Sequence, residues 1–179
     1  DKKGNTVWTD TFSMTTPVML SDGEYTAVAD KGAKTMNVYN LKGKAYTVNT
    51  EGVITTFAIN PLGYSVVMCQ SSGESDYTAF CYSPDGKVAF KGSYVAKDGL
   101  PAAIDISDDG RIIGISFINI SRIKIKSKVN FYFVNTEDAK TTDNSDAIFS
   151  GVEMDSEVAA IVHFMPDNSC IVSTDSKLY

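Results

Sequence analysis

The 179 residues carry 16 basic and 22 acidic side chains, a formal charge of −6. That balance argues against a general nucleic-acid binder, whose affinity rests on cationic contacts to phosphate. Hydrophobic residues make up 43% and charged residues 21%, enough apolar surface for a core and too little charge for a disordered chain. The longest apolar run falls far short of the roughly 18 residues that a spanning helix needs.

In chain order, the first predicted element is an outer-type strand over Thr6–Phe12. A unit of about residues 13–52 follows, with Pro17 and Met19 alternating into a turn at Asp22-Gly23. Ala27 and Ala29 come after that turn, then the aromatic strand Val38-Tyr39-Asn40 and a second turn at Leu41–Lys44. The unit at about 53–99 repeats this order: Phe57 and Ile59, the turn Leu62-Gly63, Val67 and Cys69, Cys81-Tyr82-Ser83, and a turn at Pro84–Lys87. The unit at about 100–156 has Ile104 and Ile106, the turn Asp109-Gly110, Gly114 and Ser116, then Phe131–Asn135 and a turn at Thr136-Glu137-Asp138. An incomplete unit at 157–179 has Val162 and Phe164, the turn Asp167-Asn168, and Val172 and Thr174. Its third strand is expected to begin at Lys177-Leu178-Tyr179.

Apolar residues at every second position before a turn mark a strand with one packed face. The first turns recur about 40 to 60 residues apart, the period of four-stranded propeller blades, and the longest interval implies an insertion in the third unit. The fold class is therefore all-β: a β-propeller of about four four-stranded antiparallel blades. A partial propeller that is a fragment of a longer chain is expected, with a closed four-bladed ring as the alternative. In either case the small and β-branched residues after each turn are expected to crowd toward the central axis.

Candidate functional residues are few. His163 is the sole histidine and stands five residues before its turn, where the third unit has Asp105. Equivalent places on neighbouring inner strands would bring the two side by side at the central channel. The pair reads in two ways, as holding a ligand or as polar side chains facing channel water. Asp105–Gly110 resembles the first half of a calcium loop, but the position of the closing glutamate is Ser116. Strand and turn already account for these residues, and no metal site is assigned. Arg122, Lys124, Lys126 and Lys128 alternate along the long third unit, opposite Ile123 and Ile125. If the flanking strands pair, these cations share one face near the tip of an overlong hairpin. Such a tip suits an anionic partner, or else a solvated edge whose lysines prevent unwanted strand pairing. Three cysteines cannot all pair within one chain; buried free thiols are expected, with a Cys69–Cys81 cross-strand disulfide left open. No catalytic residue and no cofactor is assigned.

The segment Trp8–Asn40, with Pro17-Val18, Tyr25–Asp30 and Val38-Tyr39-Asn40, is similar to quinoprotein-like and WD-repeat-like propeller units. The Trp-Asp dipeptide that ends many WD-repeat blades is absent from it. Gly99–Gly110 followed by Lys128–Phe133 resembles an uncharacterised family of clostridia and related Gram-positive bacteria. Members of that family have a membrane-spanning helix near the N-terminus and a propeller-like region beyond it. The resemblance implies an extracellular, cell-surface protein anchored to the cytoplasmic membrane through a segment outside this chain. A non-enzymatic binding or scaffold module follows, with a protein or an anionic cell-envelope polymer as partner. Further blades or a second copy would complete the propeller. The alternative is a quinoprotein-like propeller, ligand-binding or enzymatic, with a site in its channel.

Overall fold

The computed structural model describes residues 3–71, 76–120, 124–134 and 148–179. Blade 1 consists of β1 (Pro17–Asp22), β2 (Tyr25–Asp30), β3 (Thr35–Asn40) and β4 (Gly43–Asn49). Blade 2 consists of β5 (Val53–Ile59), β6 (Ser65–Gln70), β7 (Tyr77–Tyr82) and β8 (Val88–Tyr94). After a 3-10 turn at Ala96–Asp98, blade 3 follows as β9 (Leu100–Ile106), β10 (Ile112–Ile120), β11 (Ile125–Phe133) and β12 (Ile148–Asp155). Blade 4 has β13 (Ala159–Phe164) and β14 (Cys170–Thr174), and Leu178 bridges back to Ser173 where a third strand was expected. Every neighbouring pair is antiparallel, and the four sheets form an open fan rather than a closed ring.

The strands preceding the first turns lie innermost, β1 beside β5, β5 beside β9 and β9 beside β13. Each blade's outermost strand hands the chain to the innermost strand of the next, the propeller connection. The predicted strand Thr6–Phe12 does not join a sheet; it lies as an extended strap across blade 1. Residues 135–147, which include the expected turn at Thr136-Glu137-Asp138, lie outside the described residues.

Packing is blade on blade. Ala27, Ala29, Met36 and Val38 of blade 1 meet Phe57, Ile59, Val67 and Tyr82 of blade 2. Val66, Met68, Cys81 and Phe90 of blade 2 meet Ile104, Ile106, Ile113 and Tyr132 of blade 3. Val129 and Met154 of blade 3 meet Ala159, Val162 and Val172 of blade 4. Each fully buried Val, Ile, Met or Phe contributes about 1.5–3 kcal/mol, so these seams carry the stability.

The pre-turn columns behave as the alternation requires: Phe57, Ile59, Ile104, Ile106, Val162 and Phe164 all face the preceding blade. The post-turn columns do not. Ala27 faces forward, Val67 backward, Gly114 forward onto Val162, and Val172 backward. All four lie on the second strand of their blade, not at the hub. The cause is turn length: Ile59 pairs with Ser65 and Phe164 with Cys170, but Ile106 pairs with Ile113 and Asp22 with Tyr25. A one-residue slip inverts the face of every later side chain.

The first turns stack against one another around the hub. Gly63 has φ +87°, and a Cβ on it would stand 2.5 Å from the Tyr25 ring of the preceding blade. Gly110 repeats this arrangement against Tyr64. Asn60, fully buried, accepts the Leu62 and Tyr64 N–H groups and donates to the Ser107 carbonyl of the next blade at 2.9 Å. Gly63→Ala should therefore cost about 2–4 kcal/mol, from left-handed backbone strain and a ring clash together. Gly32, whose φ is +85° with open space around it, is the control: Gly32→Ala should cost only about 1–2 kcal/mol. Urea denaturation of the two variants checks the difference.

Candidate functional site

Among the described residues, places that bring polar or apolar groups together outside the seams include the hub mouth, the long hairpin of blade 3 and the strap on blade 1.

At the hub mouth, β9 presents Asp105 toward blade 4, and β13 brings His163 within 3.1 Å of its Oδ2. The Phe164 N–H donates to the same oxygen at 2.9 Å. The Asp105 side chain is only 14% exposed, whereas that of His163 is 66% exposed. Burial pushes the Asp105 carboxyl above its ordinary range, against the pull of the Phe164 and Ile106 N–H groups and of His163. Asp22 of blade 1 is raised as well, first by burial and then by the Asp108 charge, and His163 opposes that rise. Blades 1, 3 and 4 thus place three carboxylates and one imidazole in a common electrostatic field. Among the described residues, no group of three or more His, Cys, Asp or Glu is placed to hold a metal ion. Within the former calcium-loop segment, Ser107 donates to Asp109 at 2.7 Å and accepts the Ile112 N–H. Asp105 acts here as a hydrogen-bond tie between blades 3 and 4.

The cysteines offer no nucleophile. Cys69 and Cys81 are buried and Cys170 is partly buried, and all three are free. Burial pushes Cys81 up to about 12 and Cys69 and Cys170 up to about 11, so all three stay thiols at neutral pH. Cys69 pairs with Thr78 and Cys81 with Val66, on opposite faces of one sheet, which rules out a bridge between them.

The overlong hairpin is present: β10 and β11 are nine residues each, against six or seven in the strands of blades 1 and 2. Lys128 pairs with Phe117, and its Nζ stands 5.3 Å from that ring's centre. Lys126 lies on the same face, and Lys124 is exposed at the tip. Arg122 and Ile123 lie outside the described residues. What the sequence reading missed is β12, which sets Asp155 opposite Lys126 and Glu153 opposite Lys128. Lys126 and Asp155 form an ion pair at 3.0 Å that raises the lysine further. The face is charge-balanced rather than basic. A cleft of about 220 Å³ beside it is lined by Lys97, Asp98, Asn119, Lys126, Glu153 and Asp155, among others.

The strap was not foreseen as a site. Trp8 stacks on Tyr39 of β3, centroids 5.3 Å apart and planes 12° apart, and its Nε1 donates to the Leu41 carbonyl at 3.2 Å. Tyr39 donates to Asp10 at 2.8 Å, and Lys44 pairs with the same carboxylate at 2.8 Å. Burial, then the Asp10 contact, pushes the Tyr39 phenol up to about 12. Between strap and sheet remains a cleft of about 480 Å³, lined by Val7, Phe12, Met19, Val28 and Leu41 among others.

A protein-family model described as a family of unknown function, DUF5711, matches residues 1–179. No curated protein matches the sequence. Among solved structures, Hsv2 of Kluyveromyces lactis is similar at a TM-score of 0.60 and 11% identity, over 98% of this chain and 50% of Hsv2. The hydrazine synthase of Kuenenia stuttgartiensis is similar at 0.51 and 11% identity, over 83% of this chain and 46% of that one. The tricorn protease is similar at 0.50 and 11% identity, over 84% of this chain and 14% of that one. At such identity the likeness carries the β-propeller fold alone. The chain spans about half the length of the first two.

The hub tie has a testable consequence. Asp105→Ala strands the Phe164 N–H and should cost about 1–3 kcal/mol, while Asp105→Asn keeps an acceptor there and should cost less. Because the folded chain raises the Asp105 carboxyl, its contribution is fully present below the ordinary carboxylate range and is lost as pH rises through the raised value. The stability of the wild type relative to Asp105→Asn should therefore increase as pH falls from 7 toward 4. Urea denaturation at both ends of that range measures it.

Proposed function

The chain belongs to DUF5711, a family of unknown function, and we propose that it is a non-enzymatic β-propeller module for binding a protein partner. We place it on the extracytoplasmic side of a Gram-positive cell, held by an anchor outside this chain. The observation that carries the reading is the projecting β10–β11 hairpin. Its strands run past the length that the neighbouring blades use, and its tip leaves Ile120 72% exposed and Ile125 39% exposed beside Lys124. A packed propeller gains nothing from such an extension, whereas a partner gains an apolar tip flanked by charge. Lys126 and Lys128 on one strand and Asp155 and Glu153 on the next give that flank alternating sign. Alternating sign suits the mixed surface of a protein better than the uniform charge of an anionic envelope polymer, which is the second partner class.

Location and partner can be tested together. In intact cells, the hairpin should be open to a protease that cannot cross the membrane. A photo-crosslinker in place of Ile120 should capture one discrete envelope protein. The same probe in place of Val88, also exposed but on blade 2, should capture none. Poly(glycerol phosphate) at physiological salt should leave the purified chain unbound. Equal labelling at both positions would defeat the hairpin reading. A melting temperature raised by calcium or a quinone would restore the channel-ligand alternative, since a ligand of the folded state alone must stabilise it.

A further inference from the structure

Blades 2 and 3 part toward their outer strands, and a cleft of about 320 Å³ opens there between β8, β11 and β12. Its size is at the small end for ligand pockets, about 300–1,000 Å³. Its lining includes Tyr94 of β8, Phe117 of β10 and Tyr132 of β11. The Tyr94 ring packs on the other two, with centroids 4.9 Å and 5.9 Å away. Tyr94 is only 4% exposed, and among the described residues its hydroxyl is the one buried side-chain polar atom without a hydrogen-bond partner. The Tyr132 hydroxyl is close enough to interact with it, but no hydrogen bond of ordinary geometry joins them. Tyr132 instead accepts the Asn130 side-chain N–H at 3.1 Å. An unpaired buried O–H is unfavourable, and one that lines a cleft is placed for an acceptor from outside the chain.

The rim decides which acceptor. Lys97 stands exposed in the Ala96–Asp98 turn, and Lys128 reaches in from β11 with its Nζ 5.3 Å from the Phe117 ring centre. Among the described residues neither lysine forms an ion pair. Asp98 also lines the cleft, and its Oδ2 already accepts the Val95 N–H at 2.9 Å. Glu153 and Asp155, which balance the lysines along the hairpin, line the neighbouring cleft but not this one. Two ammonium groups against one carboxylate leave the site a single positive charge, in a chain whose net charge is −6. Burial holds both phenols protonated at neutral pH, so they offer donors rather than charge. Val95 and Ile148 add apolar surface at the mouth, 40% and 39% exposed. We propose that this cleft binds a carboxylate carried on a small apolar body. The carboxylate oxygens accept the Tyr94 O–H and the lysine ammonium groups, and the body lies against Val95 and Ile148. Phosphate has no apolar part to use that surface. A free organic acid and the C-terminal residue of a peptide present the same chemistry. The site is separate from the hairpin tip and goes beyond the protein-partner reading.

The experiment titrates hydrocinnamate, N-acetylphenylalanine and N-acetylphenylalaninamide into the 179-residue chain, read by backbone amide shifts and melting temperature. The two acids should bind with a Kd of about 1 mM or tighter. They should move the amides of Val95 to Asp98 and of Lys128, and raise the melting temperature. The uncharged amide should do neither, and inorganic phosphate at the same concentration should leave those shifts in place. Tighter binding of N-acetylphenylalanine than of hydrocinnamate assigns the source as a peptide C-terminus; the reverse order assigns a free acid. Tyr94→Phe removes only the unpaired hydroxyl. The unliganded variant should melt at or above the wild-type temperature, yet bind roughly tenfold more weakly, the worth of one hydrogen bond to a charged group. Lys97→Ala, at an exposed position, should weaken binding about twofold to fivefold. Lys91→Ala, on the opposite face of β8 over Phe80, should change nothing. Amide shifts that neither acid moves, or equal binding of the uncharged amide, would overturn the proposal. So would a Tyr94→Phe variant that keeps full affinity, or one that melts below the wild type, since its hydroxyl would then already be satisfied. None of these results touches the Ile120 crosslink, so the cleft and the hairpin readings fail separately.

Discussion

The fan depends on how closely one hairpin turn can approach the next. Tyr25 and Tyr64 each lie flat against the turn of the following blade, at positions where any Cβ would collide with the ring. Gly63 and Gly110 supply both the left-handed backbone and the missing side chain. Asn60 locks the same level by tying its own turn to the carbonyls of the next. Blades pinned this tightly at their inner turns must splay outward, because their strands diverge from a common pivot. The open space between blades 2 and 3, partly filled by the Ala96–Asp98 turn, follows from that divergence.

Much of this was legible in the sequence, and the exceptions have a common cause. Pre-turn residues are tied to the turn by sequence distance alone, so Phe57, Ile104 and Val162 could be placed on one face from their spacing. Residues after the turn inherit the turn's length, and turns of unequal length put Gly114 and Val67 on opposite faces although both stand four places beyond a glycine. The lysines failed in the same way. Their shared face was visible from alternation, but Asp155 and Glu153 arrive from a strand on the far side of a long insertion. Trp8 read as a strand residue because β-propensity does not distinguish an edge strand from an extended segment laid across a sheet.

The polar groups that looked chemical are mostly structural. Asp105 secures the backbone of Phe164, and Ser116 and Ser127 donate to the Ala159 and Glu157 carbonyls across the same seam, at 2.6 and 2.7 Å. A column match between Asp105 and His163 correctly brought two side chains together without revealing what they do. Fold follows from repeats and turns, while function follows from a site, and here the most distinctive surface is a projecting hairpin.

The seam arrangement also sets how the molecule comes apart. Each blade packs only on its sequence neighbours, blade 1 on 2, 2 on 3 and 3 on 4, so cohesion is a sum of pairwise couplings rather than one shared core. Among the described residues, the seam of blade 3 with blade 4, built on Val129, Met154, Ala159, Val162 and Val172, is the smallest of the three. A blade held by two seams, such as that of β6 and β7, therefore opens at higher free energy than either seam alone would give it, and a lesion in one seam leaves the others standing.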